Sequence, residues 1–225
     1  MRIAPAYRRQ GIRNAEFYRG LIMAHKAVFL DRDGTINEEM GYVNHLERFK
    51  LLPRAGEAIR LLNQTGIKVV VVTNQAGVAR GYFPESLIHL VHRKMEDHLR
   101  DEGAHLDGIY YCPHHPDAGE PPYRQKCRCR KPETGLIEEA VKDLEIDCSK
   151  SYMIGDRGAD VEFGRRIGAK TILVLTGYGK GEWEYFGEQW KSKPDYVAPD
   201  LFEAVQWILL QEEAVLNKET RKKGE

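Results

Sequence analysis

The chain has 225 residues, and its 34 Lys plus Arg are balanced by 34 Asp plus Glu, for a formal net charge of zero. That length suits one α/β domain with decorations, and the neutral balance provides no overall field to attract nucleic acid or an acidic membrane, so any phosphate recognition has to be local. No stretch approaches the roughly 20 apolar residues that cross a bilayer, and no apolar run follows the N-terminal arginines as in a secretion signal, so the expected location is the cytoplasm.

Residues 1–22 carry Arg2, Arg8, Arg9, Arg13 and Arg19 against Glu16, with no apolar period, which predicts a flexible arm ahead of a single domain over 23–215. Short β-rich runs follow at 27–31, 67–73, 109–111, 151–155 and 171–176. They alternate with helical patterns, so the fold class is α/β with a mostly parallel sheet. The run 69–72 is apolar throughout, as in a central strand covered on both faces.

The first helical face is Ala55, Ala58, Ile59, Leu61 and Leu62, ending before Gly66. The second starts near Pro84 with Leu87, Ile88, Val91, Met95 and Leu99, and the third carries Leu136, Ile137, Ala140, Val141 and Leu144. All recur at helical spacing and read as core. Segments 37–50 and 113–126 break this rhythm as irregular loops at the carboxyl side of strands, where function concentrates. Residues 216–225 are charged and expected to fray.

Asp31 and Asp33 emerge where the first strand ends, and strand alternation points residues i and i+2 the same way, so the two could share one metal ion or one reacting phosphorus. The second strand ends in Thr73-Asn74, and the fourth leads into Gly155-Asp156-Arg157-Gly158-Ala159-Asp160, which brings a third carboxylate to the same rim. A hard cation such as magnesium takes such oxygen ligands. Lys131, in Arg130-Lys131-Pro132, can supply the positive charge that a transferring phosphoryl group requires.

Four cysteines in a cytosolic chain are thiols or metal ligands sooner than disulfides. Cys112 and His114, with Cys127 and Cys129, form two close pairs suited to a closed tetrahedral zinc site that would order the loop 112–129 where burial cannot. His115 is an alternative to His114, or lies exposed or near the substrate. Cys148 fits a reduced core thiol.

DRDGT at 31–35, TN at 73–74, RKP at 130–132 and GDRGAD at 155–160 resemble, in order and spacing, the four signature motifs of the haloacid dehalogenase superfamily phosphatases. The resemblance implies a three-layer Rossmann-like fold. It implies Asp31 as the nucleophile that forms an aspartyl-phosphate and Asp33 as general acid and base. It further implies magnesium on Asp31, the Asp33 backbone carbonyl and Asp156, with Thr73 and Lys131 on the phosphoryl oxygens and Asp160 orienting its neighbours.

The CPHH and CRCRKP strings, with DRDGTIN, GYV and TNQAGVARG, are similar to one branch of that superfamily, the D-glycero-D-manno-heptose 1,7-bisphosphate 7-phosphatases, and to their relatives the histidinol-phosphate phosphatases. In the heptose branch the residues matching Glu39, Met40, Gly41, Tyr42, Thr73, Asn74, Gln75, Ala76, Arg130, Lys131 and Arg157 contact substrate. Arg157 stands where many relatives have lysine, and Ala76 where serine is often seen. Segment 37–50 is too short for a large cap domain, so an open site is expected. The likeness implies an enzyme that acts on a small phosphorylated sugar and removes its C7 phosphate, on the way to nucleotide-activated heptose; for want of an obvious apolar patch in the sequence, a monomer is expected. The sister activity is hydrolysis of histidinol phosphate.

Overall fold

The computed structural model describes residues 24–223, so the arm expected over 1–22 lies outside the described residues. Six strands form one sheet: β1 (Ala27–Leu30), β2 (Lys68–Asn74), β3 (Gly108–Cys112), β4 (Tyr152–Gly155), β5 (Lys170–Val174) and β6 (Tyr196–Ala198). Their spatial order is β3-β2-β1-β4-β5-β6, and every neighbouring pair is parallel.

Among the described residues there are six α-helices: α1 (Ala55–Gln64), α2 (Glu85–Asp101), α3 (Gly135–Leu144), α4 (Gly158–Arg166), α5 (Gly179–Phe186) and α6 (Leu201–Lys223). Alternation within the strands divides the core in two. Val28, Leu30, Val69 and Val71 pack with Ile59 and Leu62 of α1, Met95 and Leu99 of α2 and Val205 and Ile208 of α6. Ala27, Phe29, Val70, Val72 and Met153 face the other way, onto Leu136, Ile137 and Ala140 of α3 and Phe163 of α4. The result is three layers, helix on sheet on helix.

The register sets the site. Leu30 stands beside Val71 of β2 and Ile154 of β4, and the next residue, Asp31, donates its backbone N–H to the Ile154 carbonyl at 2.9 Å. Strand order reverses at β1, since the chain runs outward one way through β2 and β3 and the other way through β4 to β6. A crevice opens at such a reversal beyond the carboxyl ends of the strands, and Asp31 enters it.

The expected five strands and three helices are present, whereas β6 and helices α4 to α6 are additions. β6 has three residues, too short to show a period; it is held when Asp195 accepts the Thr171 N–H at 2.7 Å. α6 carries on to Lys223, through most of the segment expected to fray, in a stretch rich in the good helix formers Glu, Lys and Leu. Segment 37–50 folds back on the domain: Asn37 bridges to Leu51, Glu38 N–H donates to the Lys50 carbonyl, and Val43 and Phe49 are buried. Among the described residues no helix is long and apolar enough to cross a membrane.

Candidate active site

Asp31, Asp156 and Asp160 are buried and bring carboxylate oxygens within 4.8 Å of one another. Lys131, whose side chain is 3% exposed, places Nζ 2.8 Å from Asp31 Oδ1 and 2.6 Å from Asp160 Oδ1. Burial alone would push this ammonium down, but Asp160 and Asp31 outweigh it and hold Lys131 charged, above the usual lysine range.

One ammonium is too little for three buried carboxylates. Burial, then the charges of Asp31 and Asp160, push Asp156 up to about 8. Burial likewise raises Asp160, to about 6, against the pull of Lys131. Asp156 Oδ2 accepts the Tyr178 N–H at 2.8 Å, while its Oδ1 is buried with no hydrogen-bond partner. Hard oxygen donors, an excess of negative charge and a bare carboxylate oxygen fit a small dication such as magnesium.

Glycines admit the Asp156 carboxylate. Gly34 (φ +78°) and Gly177 (φ +55°) both adopt left-handed backbone, and a Cβ on either would fall 2.2 Å from Asp156 Oδ2. Asp160, in the first turn of α4, accepts the Arg157 N–H at 3.1 Å, so its two oxygens serve the helix start and Lys131.

Of the two alternatives for Asp31 and Asp33, one shared metal ion or one reacting phosphorus, the Asp33 carboxylate departs from the first, since it is not in the Asp31–Asp156–Asp160 group. Beyond Leu30 the backbone turns, closed by Gly34 N–H to the Asn37 carbonyl at 2.8 Å, and strand alternation no longer applies. The Asp33 carboxylate accepts from Arg32 Nη2 at 2.8 Å, Asn37 Nδ2 at 2.9 Å and Gln75 Nε2 at 2.8 Å. Burial would raise it, yet the Arg32 charge and these hydrogen bonds prevail and hold it below the usual carboxylate range. Arg32 is itself 1% exposed and lies against His92, with Nη1 3.3 Å from Nε2. Burial, reinforced by Arg32, pushes that histidine down to about 3.

A cleft of about 340 Å³ opens over these groups. Glu39, Gly41, Tyr42, Thr73, Asn74, Gln75, Ala76, Arg130, Lys131 and Arg157 all line it. Met40 does not; it lies in the neighbouring groove beside Tyr178, because its carbonyl is held by Arg48 Nη2 at 3.0 Å. Thr73 Oγ1 accepts from Gln75 Nε2 at 3.0 Å, so Gln75 bridges Thr73 and Asp33. Asn74 is bonded to the backbone of Lys131. Arg157 is held with its guanidinium 3.9 Å over the Tyr178 ring.

Arg80 also lines the cleft and was not expected there. It comes from a tight turn in which its N–H donates to the Ala76 carbonyl. The TNQAGVARG string contained it, but no spacing rule identified it.

The second cluster is also assembled. Cys129 Sγ lies 3.2 Å from the sulfurs of Cys112 and Cys127, Cys112 and Cys127 are 3.5 Å apart, and His114 Nδ1 is 3.3 Å from Cys129 Sγ. A zinc–sulfur tetrahedron has edges of about 3.7 Å, so three thiols and one imidazole nitrogen fit zinc with little movement. The ring of His115 is directed elsewhere, toward Arg80, and Cys148 sits apart on the 3-10 turn Cys148–Lys150.

Comparison with known proteins follows the same lines. The HAD-hydrolase-like family model matches residues 128–204. A Haemophilus ducreyi protein named D-glycero-beta-D-manno-heptose-1,7-bisphosphate 7-phosphatase is 43% identical over 188 residues, which cover 83% of this chain and 100% of that one. The Escherichia coli K12 protein of the same name is 40% identical over 81% of this chain and 87% of its own. The crystal structure of the D,D-heptose 1,7-bisphosphate phosphatase from B. bronchiseptica, complexed with magnesium and phosphate, superposes with a TM-score of 0.73 at 31% identity, covering 83% of this chain and 99% of that one.

Proposed function

Because the chain belongs to the D-glycero-D-manno-heptose-1,7-bisphosphate 7-phosphatases, a branch of the haloacid dehalogenase-like hydrolases, we propose that it hydrolyses the C7 phosphate of heptose 1,7-bisphosphate. The product is heptose 1-phosphate, a precursor of ADP-heptose for the lipopolysaccharide core. The observation that carries this reading is the joining, in one cleft, of the Asp31–Lys131–Asp160 cluster with three further cations, Arg80, Arg130 and Arg157. A substrate with phosphate at both ends needs both sets.

Asp31 is the nucleophile. Its carboxylate forms a bond to phosphorus as the bond to the C7 oxygen breaks, leaving an aspartyl-phosphate on the chain. Asp33 protonates the departing alkoxide, then takes a proton from the water that attacks the aspartyl-phosphate and frees inorganic phosphate. Arg32, Asn37 and Gln75 favour ionised Asp33, the form the second step needs, so the proton it gives in the first step is one taken up from solvent as the substrate dianion docks beside it. Lys131 and Thr73 hold the phosphoryl oxygens, and Glu39 offers a carboxylate to sugar hydroxyls. A magnesium ion on Asp31, Asp156 and the Asp33 carbonyl would neutralise the charge that builds on the phosphoryl oxygens.

Zinc on Cys112, His114, Cys127 and Cys129 would be structural, fixing the segment that delivers Arg130 and Lys131. The reading describes a monomeric cytoplasmic enzyme with no nucleic-acid or membrane partner. Histidinol phosphate, the other substrate, presents an ammonium and an imidazole at its far end, to which Arg80, Arg130 and Arg157 offer nothing. Comparing kcat/KM on the two substrates tests the assignment. At least a hundredfold preference for the heptose bisphosphate is expected, and dominant turnover of histidinol phosphate would overturn it.

A further inference from the structure

The tip of the cysteine-bearing loop packs against the turn that follows β2. Gly119 (φ +79°) comes so close that a Cβ there would lie 1.7 Å from the Ala79 carbonyl oxygen. This approach sets His115 against Arg80, with Nε2 and Nη2 2.9 Å apart. The other ring nitrogen is already engaged: His115 Nδ1 accepts the N–H groups of Asp117 at 3.1 Å and Ala118 at 3.0 Å.

A neutral imidazole that accepts at Nδ1 carries its proton on Nε2. That N–H then points at the N–H of a guanidinium, which has no lone pair to offer. Moving the proton to Nδ1 relieves this contact only by opposing the two backbone N–H groups. Either tautomer leaves donors facing donors. Arg130, in the same cleft and donating from Nη1 to the His114 carbonyl at 3.2 Å, adds positive charge nearby. The favourable third party is an anion oxygen that accepts from Arg80 and His115 together.

We propose that Arg80 and His115 form an anion clamp, built jointly by the β2 turn and the cysteine-bearing loop, that grips the phosphate the enzyme does not cleave and so determines preference for a doubly phosphorylated sugar. This rests on the bisphosphate reading above.

The test is the ratio of kcat/KM for heptose 1,7-bisphosphate to that for a simple monoester, p-nitrophenyl phosphate, measured in the wild type, Arg80→Ala, Arg80→Lys and His115→Asn. Asparagine at 115 keeps an oxygen for the Asp117 and Ala118 N–H groups and removes the Nε2 donor. The ratio should fall about 10- to 100-fold in Arg80→Ala, as for loss of a charge-assisted hydrogen bond. It should recover in part in Arg80→Lys and fall about three- to tenfold in His115→Asn, in each case mainly through KM for the bisphosphate. Because it is a ratio, general damage to the fold cancels. A wild type that favours the bisphosphate, with the ratio unchanged in Arg80→Ala, overturns the clamp and leaves the proposed function standing. A wild type indifferent to the second phosphate overturns both.

Discussion

Asn74 holds Lys131 by its backbone on both sides: Oδ1 accepts the Lys131 N–H at 3.0 Å, and Nδ2 donates to the Lys131 carbonyl at 3.2 Å. The end of β2 thereby positions the ammonium that faces Asp31. Asn74→Ala should lower kcat about 10- to 100-fold with a smaller change in KM, and should lose about 1 to 3 kcal/mol of stability for two partly buried hydrogen bonds. A variant with wild-type kcat in steady-state assays would remove Asn74 from the positioning of Lys131.

Asp31→Asn keeps the size of the side chain and removes the attacking charge. Lys131 retains Asp160, 2.6 Å away, so the fold should survive with a melting temperature close to that of the wild type. Turnover should fall by about a thousandfold or more. Residual activity near the wild-type level would refute the nucleophile assignment.

Gly177→Ala should act on metal affinity. The new Cβ would meet Asp156 Oδ2 at 2.2 Å and the Gly34 Cα at 2.6 Å, displacing the carboxylate oriented toward the cation. The magnesium concentration for half-maximal rate should rise at least tenfold. An unaltered magnesium titration would count against Asp156 as a ligand.

His92 should make stability fall in acid. Its ring stays neutral in the fold down to about 3, because burial and Arg32 oppose its charge, whereas the unfolded chain takes up the proton near 6.5. This contribution is present in full above pH 6.5 and is lost as pH falls toward 3, amounting to about 2 to 3 kcal/mol between pH 7 and pH 4.5. Urea unfolding at the two pH values should show that slope reduced in His92→Gln. Equal slopes in both proteins would assign the acid sensitivity elsewhere.

Zinc removal should reach the active site through the chain. Cys129 is followed directly by Arg130 and Lys131, so Cys127→Ser, or prolonged treatment with a strong chelator, should release about one zinc per chain and lower both thermal stability and kcat. Metal analysis beside activity checks this. Full activity in zinc-free protein would separate the loop from catalysis.

The parallel sheet and its first five strands were legible because buried strands write continuous apolar runs, such as 69–72 in β2, and the first three helices because their apolar faces recur every three to four residues. β6 was not, since three residues carry no period and it is held by Asp195, a side chain outside the strand. The buried carboxylates of Asp31 and Asp156 were readable as strand ends. The turn of Asp33 toward Arg32 was not, because alternation holds only while the backbone stays extended, and that ends at Leu30. Arg80 escaped because its place follows from contact between two loops distant in sequence, which Gly119 permits and spacing does not encode.

Segment 37–50 closes back on the domain and leaves the cleft uncovered by any second lobe among the described residues, so none of those residues forms a gate that must open before the hydrolysed sugar departs. The rate should therefore be insensitive to added viscogen under saturating substrate. Discrimination has to be exerted by grip alone, at the moment of docking.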